Sequence, residues 1–204
     1  MILNFILSLL LGTSLLNQQP HIPVQYVHSV DGDTVVVKKN HRNVTVRLLL
    51  VDTPESKKPN TPVQPYAIEA SKFTESLVKT CDLSIQYDTK GKTDKYGRDL
   101  VYLYCGNEMV NKTLVEKGYA RVGYVYQQKD HLRTLENAQS IARAKGLKIW
   151  SIKGYVNEDG EGFNDSEADR NSEGSFSEFL RKLLHNILDD IIDGVIKALK
   201  DLFK

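Results

Sequence analysis

Short apolar runs separated by turn residues fill much of the chain between residues 24 and 104, a pattern typical of β-strands. In one of them, residues 44–51, the first half alternates between apolar and polar positions and the second half is continuously apolar. Such a run indicates a strand that becomes buried on both faces. Pro54 ends this strand, because proline has no N–H to donate to a neighbouring strand. The five strand candidates are residues 24–30, 34–37, 44–51, 83–87 and 100–104.

Apolar residues spaced by three and four positions predict helices over residues 67–79, 110–117 and 131–145. The first helix follows the third strand, and the other two follow the fifth strand. This order predicts an α+β fold. Its centre is a five-stranded OB-fold β-barrel, and three helices pack on the barrel.

The chain changes character after residue 156. Residues 157–175 are acidic, rich in Gly and Ser and poor in large apolar residues, which predicts a disordered linker. Over residues 176–204, apolar residues recur at steps of three and four, which predicts a C-terminal amphipathic helix. Five acidic and five basic residues balance in this helix, so attraction to anionic lipid is not its main force. Membrane-surface binding, self-association and packing back on the barrel stay open as its role.

The N-terminal segment, residues 1–19, is predicted to be a signal peptide or an N-terminal membrane anchor. Its first sixteen residues hold no charged side chain, and the run is short for a membrane span. No A-x-A cleavage site is present, so cleavage stays open, and a buried N-terminal helix is the structural alternative. We therefore expect a secreted protein, or a membrane-anchored protein that faces outward.

Charge divides the chain into two parts. Residues 1–156 contain 21 Lys and Arg against 14 Asp and Glu, a net charge of +7, and residues 157–204 contain 6 against 12, a net charge of −6. A basic body suggests a polyanionic partner, although many domains of this charge bind no nucleic acid.

Four carboxylates lie at the ends of predicted strands. Asp31 and Asp33 flank a turn glycine, and Asp52 and Glu55 follow the third strand. If the first and third strands are neighbours, these groups gather at one mouth of the barrel, where their repulsion requires a cation or protons. A hard divalent cation suits them, and calcium best fits irregular oxygen geometry. Each residue alone also fits an ordinary turn.

Two arginines accompany the carboxylates. Arg47 lies in the third predicted strand, and Arg98 lies where the polar 88–99 loop meets the fifth. Arginine grips phosphate with two N–H groups at once, whereas either residue alone could be a surface charge. Carboxylates, a cation and two arginines together indicate phosphoryl transfer.

Five separated motifs give this combination its specificity. In order they are VDGDT (30–34), RLLLVDTPE (47–55), TDKYGR (93–98), MVN (109–111) and GLKIWS (146–151). Together they closely resemble the staphylococcal nuclease (thermonuclease) family, over roughly residues 24–152. The resemblance implies the same five-stranded barrel with three helices, and a Ca²⁺-dependent nuclease that acts on DNA and RNA.

The resemblance also implies roles for individual residues. Asp33 and Asp52 would bind Ca²⁺ through their carboxylates, Thr53 would bind it through its carbonyl oxygen, and Asp31 would support this site. The residues that would contact the nucleotide are Lys95, Tyr96, Tyr124 and Tyr126.

In the implied reaction Glu55 acts as general base on a water molecule, and Arg47 and Arg98 stabilise the five-coordinate phosphorus. The 5′-oxygen leaves, and a 3′-phosphate end remains. A non-catalytic nucleic-acid-binding module that kept the barrel is the alternative. Degenerate copies of that kind would lack key residues, and all of them are present here.

Cys81 and Cys105 are the two cysteines of the chain. Cys81 precedes the fourth predicted strand and Cys105 follows the fifth. Because an antiparallel pair of strands brings those ends side by side, we expect a disulfide between them.

Overall fold

The structure is a computed structural model that describes residues 19–57, 62–157 and 160–202. The predicted signal peptide or anchor, apart from Gln19, lies outside the described residues. Within those three ranges, no helix combines the length and the apolar character that crossing a membrane requires.

The strands, in chain order, are β1 (Ile22–Ser29), β2 (Thr34–Lys39), β3 (Arg42–Leu48), β4 (Val51–Asp52), β5 (Leu83–Tyr87), β6 (Asp99–Cys105), β7 (Glu108–Met109) and β8 (Arg121–Val122). Strands β1, β2, β3, β5 and β6 form the barrel, which confirms the predicted five strands. Neighbours pair antiparallel in the order β3-β2-β1-β5-β6, and a parallel pairing of β3 with β6 closes the ring. Strands β4 and β8 form a separate short ladder.

The helices are α1 (Ala67–Val78), α2 (Val110–Glu116), α3 (Leu132–Ala144), a 3-10 turn (Lys148–Ser151) and α4 (Asp165–Leu202). The first three pack with the barrel as predicted, and Phe73 of α1 stacks on Tyr119 after α2. Alternate residues of the barrel strands point inward and are fully buried, as Val35, Val37 and Ile85 are. The predicted α+β fold with a C-terminal helix is confirmed.

The predicted third strand is interrupted after Leu48. Leu50 has a φ of 59°, in the left-handed region, and β4 begins only at Val51. The cause is Asn111, whose buried Nδ2 donates to the carbonyl oxygen of Leu49 at 2.9 Å while its Oδ1 accepts from the N–H of Leu103. The bend moves Asp52 away from the line of β3 and onto β8.

The C-terminal helix begins earlier in the chain than residue 176. Helix α4 begins at Asp165, inside the segment predicted to be a disordered linker. Tyr155 is fully buried in a small second core with Ile149, and Phe163 and Ala168 pack there as well. The few apolar residues of this acidic segment are therefore enough to anchor it, because they meet an apolar surface that the 3-10 turn provides.

Beyond this anchored part, the described side chains of α4 leave an apolar face exposed. Its large exposed residues are Phe176, Leu180, Leu183, Leu184, Ile187 and Leu188.

Candidate active site

Asp33 joins the start of β2 to the segment that follows β4. Its Oδ2 accepts the backbone N–H of Thr53 at 3.1 Å and forms an ion pair with Arg47 Nη2 at 3.0 Å. Its Oδ1 accepts the Thr34 hydroxyl at 3.0 Å. Asp33 is buried, so these three donors replace the water that its charge would otherwise bind.

Arg47 wraps around the bend between β3 and β4. Its Nη1 donates to the carbonyl oxygens of Leu48 at 3.0 Å and Val51 at 2.7 Å. Its Cζ lies 5.3 Å from the centroid of the Tyr124 ring, which is cation–π distance. A guanidinium has five N–H donors, so donors remain for a phosphate after these contacts and the Asp33 ion pair.

Asp52 is the least satisfied group of the cluster. It is buried, and its Oδ2 accepts no hydrogen bond from any residue that the structure describes; Nε of Arg121 is 4.0 Å away. Burial, followed by the negative charge of Asp33, raises the pKa of Asp52 to about 7. A cation beside this carboxylate would reverse the effect and keep Asp52 ionised at lower pH.

Asp31 adds a third carboxylate beside Asp33. Its Oδ1 accepts the backbone N–H of Asp33 at 3.2 Å. Burial, followed by the charge of Asp33, raises its pKa to about 7. The pKa of Tyr124 is raised as well, by burial and then by the charge of Asp52. The cluster brings together three carboxylates, of Asp31, Asp33 and Asp52, and two guanidinium groups, of Arg47 and Arg121.

A hard divalent cation fits this donor set. In the three described ranges, no group of three or more His, Cys, Asp or Glu side chains is arranged to hold a metal ion. A cation at Asp33 and Asp52 would therefore complete its shell with backbone and water oxygens, as Ca²⁺ and Mg²⁺ do. The Oδ2 of Asp52, which accepts no hydrogen bond from the described residues, is the observation that favours such an ion.

Glu55 stands at the base of a loop. Its Oε1 accepts the N–H of Lys57 at 2.7 Å, and its own backbone N–H donates to Oε1 of Gln64 at 2.7 Å. The Gln64 N–H donates in turn to the Glu55 carbonyl oxygen at 3.1 Å, which closes the loop. Residues 58–61, inside this loop, lie outside the described residues.

Arg98, Lys95 and Tyr96 form a second group on the 88–99 loop. Nε of Arg98 donates to Asp94 Oδ2 at 2.7 Å, and both Arg98 Cζ and Lys95 Nζ lie over the Tyr96 ring. Tyr96 is 72% exposed and Tyr126 is 65% exposed, as suits residues that stack on bases. Among the described residues, no hydrogen bond or ion pair joins Arg98 or the Glu55 carboxylate to Asp33, Arg47 or Asp52.

Four further residues shape the site and have little or no signal in the sequence. Asn111 bends the chain before Asp52, and Gln64 fixes the backbone of Glu55. Gly123 lies so close to Asp52 that an added Cβ would be 2.8 Å from the Asp52 Cβ. Glu161, in the acidic segment, accepts the N–H of Tyr124 at 3.2 Å. Only Asn111 lies within one of the five motifs.

Comparison with known proteins finds one family profile and several related nucleases. The family profile described as "Staphylococcal nuclease homologue" matches residues 45–152. "Endonuclease YncB" of Bacillus subtilis (strain 168) is 42% identical over 149 residues, which are 72% of this chain and 70% of the relative. The "Thermonuclease" of Staphylococcus intermedius is 46% identical over 122 residues, 59% of this chain and 71% of the relative. The "Thermonuclease" of Staphylococcus hyicus is 39% identical over 140 residues, 69% of this chain and 80% of the relative.

Proposed function

Because this chain belongs to the staphylococcal nuclease family and is a phosphodiester hydrolase, we propose that it is a Ca²⁺-dependent nuclease of DNA and RNA. It cuts on the 5′-oxygen side and leaves 3′-phosphate ends. The cluster of Asp33, Arg47 and Asp52, in which the buried Asp52 Oδ2 accepts no hydrogen bond from the described residues, is the observation that carries this proposal.

Asp33, Asp52 and the carbonyl oxygen of Thr53 would hold the cation, and Asp31 supports Asp33 through the backbone hydrogen bond. When bound, the ion supplies positive charge to the phosphodiester and to the incoming water. The excess of negative charge at Asp52 favours this arrangement, because an ion there relieves the repulsion between two buried carboxylates.

Glu55 is the general base that takes a proton from water as the water oxygen attacks phosphorus. The bond from phosphorus to the 5′-oxygen breaks, and that oxygen leaves and takes up a proton. Arg47 and Arg98 donate N–H groups to the phosphoryl oxygens, on which negative charge grows in the transition state. The hydrogen bonds with Lys57 and Asp94 engage Oε1 of Glu55 and Nε of Arg98, so Oε2 and the Nη groups are the atoms proposed to meet the water and the phosphate.

Exposed aromatic side chains beside the arginines suit a substrate with unpaired bases. Lys95 binds phosphate, and Tyr96, Tyr124 and Tyr126 offer ring faces to sugars and bases. Stacking does not depend on base identity, and the reaction needs no 2′-hydroxyl. Both DNA and RNA are therefore substrates.

An exported location fits the disulfide between Cys81 and Cys105, since disulfides persist in oxidising compartments. The segment that would direct export lies outside the described residues. The exposed apolar face of α4 is proposed to bind a membrane surface or a second copy of the chain.

The deciding experiment measures cleavage of DNA and RNA with Ca²⁺, with a Ca²⁺ chelator, and in Glu55→Ala and Arg98→Ala variants. We expect cleavage to stop in chelator and to fall by about 10²–10⁴-fold in either variant, the range for positioned base and electrostatic catalysis. Mass spectrometry of the products should find 3′-phosphate ends.

Two matched substitutions control for general effects of lost charge. Glu69→Ala removes an exposed glutamate of α1, and Arg133→Ala removes an exposed arginine of α3. Both variants should cleave at the rate of the unaltered protein. Undiminished cleavage in chelator would refute the metal dependence, and undiminished cleavage by Glu55→Ala would refute the assigned base.

A further inference from the structure

The segment after residue 152, beyond the family match, is built into the body of the protein. Tyr155 is fully buried, and its hydroxyl donates to the carbonyl oxygen of Pro65 at 3.1 Å. Ala168 of α4 is buried beside it. At the next turn of the helix, Nδ2 of Asn171 donates to the carbonyl oxygen of Lys153 at 3.2 Å. The first turns of α4 are therefore held at fixed points against the Pro65 side of the active site.

One contact of this segment reaches the loop that begins at Glu55. Nε2 of Gln64 donates to both carboxylate oxygens of Asp165, at 2.9 and 3.2 Å. The other end of the same amide, Oε1, accepts the backbone N–H of Glu55 at 2.7 Å. Gln64 thus bridges the first residue of α4 and the residue assigned as the base.

We propose that Asp165 is a positioning residue for Glu55, and that it acts through the side chain of Gln64. The proposal rests on the proposed role of Glu55 as general base. It assigns the C-terminal extension a part in catalysis, in addition to any role of its apolar face.

The chemistry of the amide explains why a fixed partner matters. A glutamine side chain carries an acceptor at one end and donors at the other, and only one orientation presents Oε1 to the N–H of Glu55. A carboxylate accepts hydrogen bonds and donates none, so Asp165 selects that orientation. Without it, the amide is free to rotate, and the Glu55 N–H loses its partner for part of the time.

Small displacements of a base have large kinetic effects, since a misplacement of about 1 Å can cost about 10²-fold in rate. Among the described residues, Asp165 makes its side-chain hydrogen bonds with Gln64 and not with the residues proposed to hold cation or phosphate. Its loss should therefore lower kcat and leave both KM and the half-saturating Ca²⁺ concentration unchanged.

The test compares Asp165→Ala, Asp165→Asn and Gln64→Ala in the full chain, with single-stranded DNA as substrate. We expect kcat to fall about tenfold in Asp165→Ala and in Gln64→Ala, as for loss of one charge-assisted hydrogen bond. Asp165→Asn keeps an acceptor for Gln64 Nε2 but also carries donors, so it selects the amide orientation only in part and should keep part of the rate. Glu178→Ala, on the same helix and paired with Lys182, is the matched control and should have no effect.

Double substitutions separate positioning from general weakening of the fold. The double variant with Asp165→Ala and Gln64→Ala should have the same kcat as either single variant, because each substitution removes the same chain of hydrogen bonds from Asp165 to Glu55. In a Glu55→Ala background, Asp165→Ala should cause no further loss. An unchanged kcat in Asp165→Ala, an equal loss in Asp165→Asn, or a further loss in the Glu55→Ala background would each overturn the proposal. If Glu55→Ala itself cleaves normally, the role of Glu55 fails first, and the two failures are thereby distinguished.

Discussion

Glycine at positions 32 and 123 gives the acidic cluster the space that it needs. A Cβ at Gly32 would lie 2.8 Å from the Thr53 hydroxyl oxygen, and a Cβ at Gly123 would lie 2.8 Å from the Asp52 Cβ. Real Cβ atoms almost never come so close to other heavy atoms, so the neighbouring backbone or side chain must move. Neither glycine has a positive φ, and the requirement is for close approach and not for an unusual backbone angle.

Replacing Gly123 with alanine should therefore disturb Asp52 directly. We expect the half-saturating Ca²⁺ concentration to rise and cleavage at saturating substrate to fall by about 10–100-fold, in line with displacements of up to about 1 Å at a catalytic site. Ca²⁺ titrations of the cleavage rate measure both effects. Gly174→Ala is the control, because its Cβ would meet no atom within 4 Å and its helix should gain slightly in stability. Equal Ca²⁺ dependence of the two variants would contradict the spacing argument.

His131 makes the stability of the fold depend on pH. Its ring contacts Oε1 of Gln86 at 2.9 Å and meets Tyr102 edge to face. Burial lowers its pKa, against the opposing charges of Asp130 and Asp88 and with the help of His21. Below the ordinary pKa of about 6.5, the unfolded chain takes up a proton that the folded chain resists. Stability from this group is therefore complete above that pH and decreases as the pH falls.

As the pH falls from 7.5 to 5, the free energy of unfolding should decrease less in His131→Gln than in the unaltered protein. Urea denaturation at the two pH values measures the difference. His28→Gln, which replaces an exposed histidine of β1, is the matched control and should keep the original pH dependence. If both variants keep it, His131 is not the group responsible.

At the scale of elements, the disulfide ties the ends of β5 and β6. Cys81 and Cys105 are bonded as predicted, with Cα atoms 5.5 Å apart and a sequence separation of 24. Cys105 pairs with Leu83 in the β5–β6 ladder, so the bond lies at one end of β6. Arg98 lies just before the opposite end of the same strand.

Replacing both cysteines with serine should lower the free energy of unfolding by about 3 kcal/mol, from the loss of loop closure in the unfolded chain. Cleavage under conditions where the variant is fully folded should be unchanged. Urea denaturation of the oxidised protein, the reduced protein and the double variant measures the effect. The reduced protein should match the variant, and a variant as stable as the oxidised protein would contradict the prediction.

The sequence predicted strands and helices well because short-range periodicity determines them. It did not predict the bend at Leu49 and Leu50, since the residue that causes it, Asn111, lies 62 positions further along the chain. A run of apolar residues cannot reveal that one of its carbonyl oxygens is taken by a distant amide. The same limit applies to Gln64 and Asp165, which are 101 positions apart.

The residues of the candidate site were likewise predicted from the sequence only in part. The motifs led to Asp33, Arg47 and Asp52, and the structure brings these three together. The Glu55 carboxylate and Arg98 make local contacts instead, with Lys57 and Asp94. Their convergence on a substrate stays a prediction, because it depends on groups that only a bound phosphodiester would supply.

At the scale of the whole molecule, the acidic extension lies against the basic body. Glu161 accepts the N–H of Tyr124, and its charge also raises the pKa of Asp52 and of Tyr124, though less than burial does. A negative charge at this point repels an approaching polyanion. The net charge of the chain is only +1, because the acidic extension offsets the positive charge of the body.

We expect Glu161→Gln to lower KM for a polynucleotide by about two- to fivefold at low salt, the size of an exposed charge effect. Glutamine can still accept the Tyr124 N–H, so the change isolates charge. The gain should shrink as ionic strength rises, because salt screens exposed charges. Steady-state kinetics at two salt concentrations, with Glu178→Gln as control, measure it. A gain that does not depend on salt would argue against an electrostatic cause.

Two truncations separate the anchored part of the extension from its exposed helix. A chain that ends after residue 173 keeps Phe163, Asp165 and Ala168 in place, and should match the full chain in stability and cleavage. A chain that ends after residue 156 also removes the carbonyl oxygens of Asn157 and Gly162, to which Arg121 Nη1 donates at 2.8 and 3.0 Å. Loss of the Phe163 and Ala168 contacts and of those acceptors should cost roughly 3–5 kcal/mol of unfolding free energy, as for large apolar truncations. Urea denaturation and steady-state cleavage of the two chains measure these effects, and equal stability would mean that the extension is not part of the fold.

Oligomer size and vesicle binding, compared between the full chain and the chain ending at 173, then test the exposed apolar face alone.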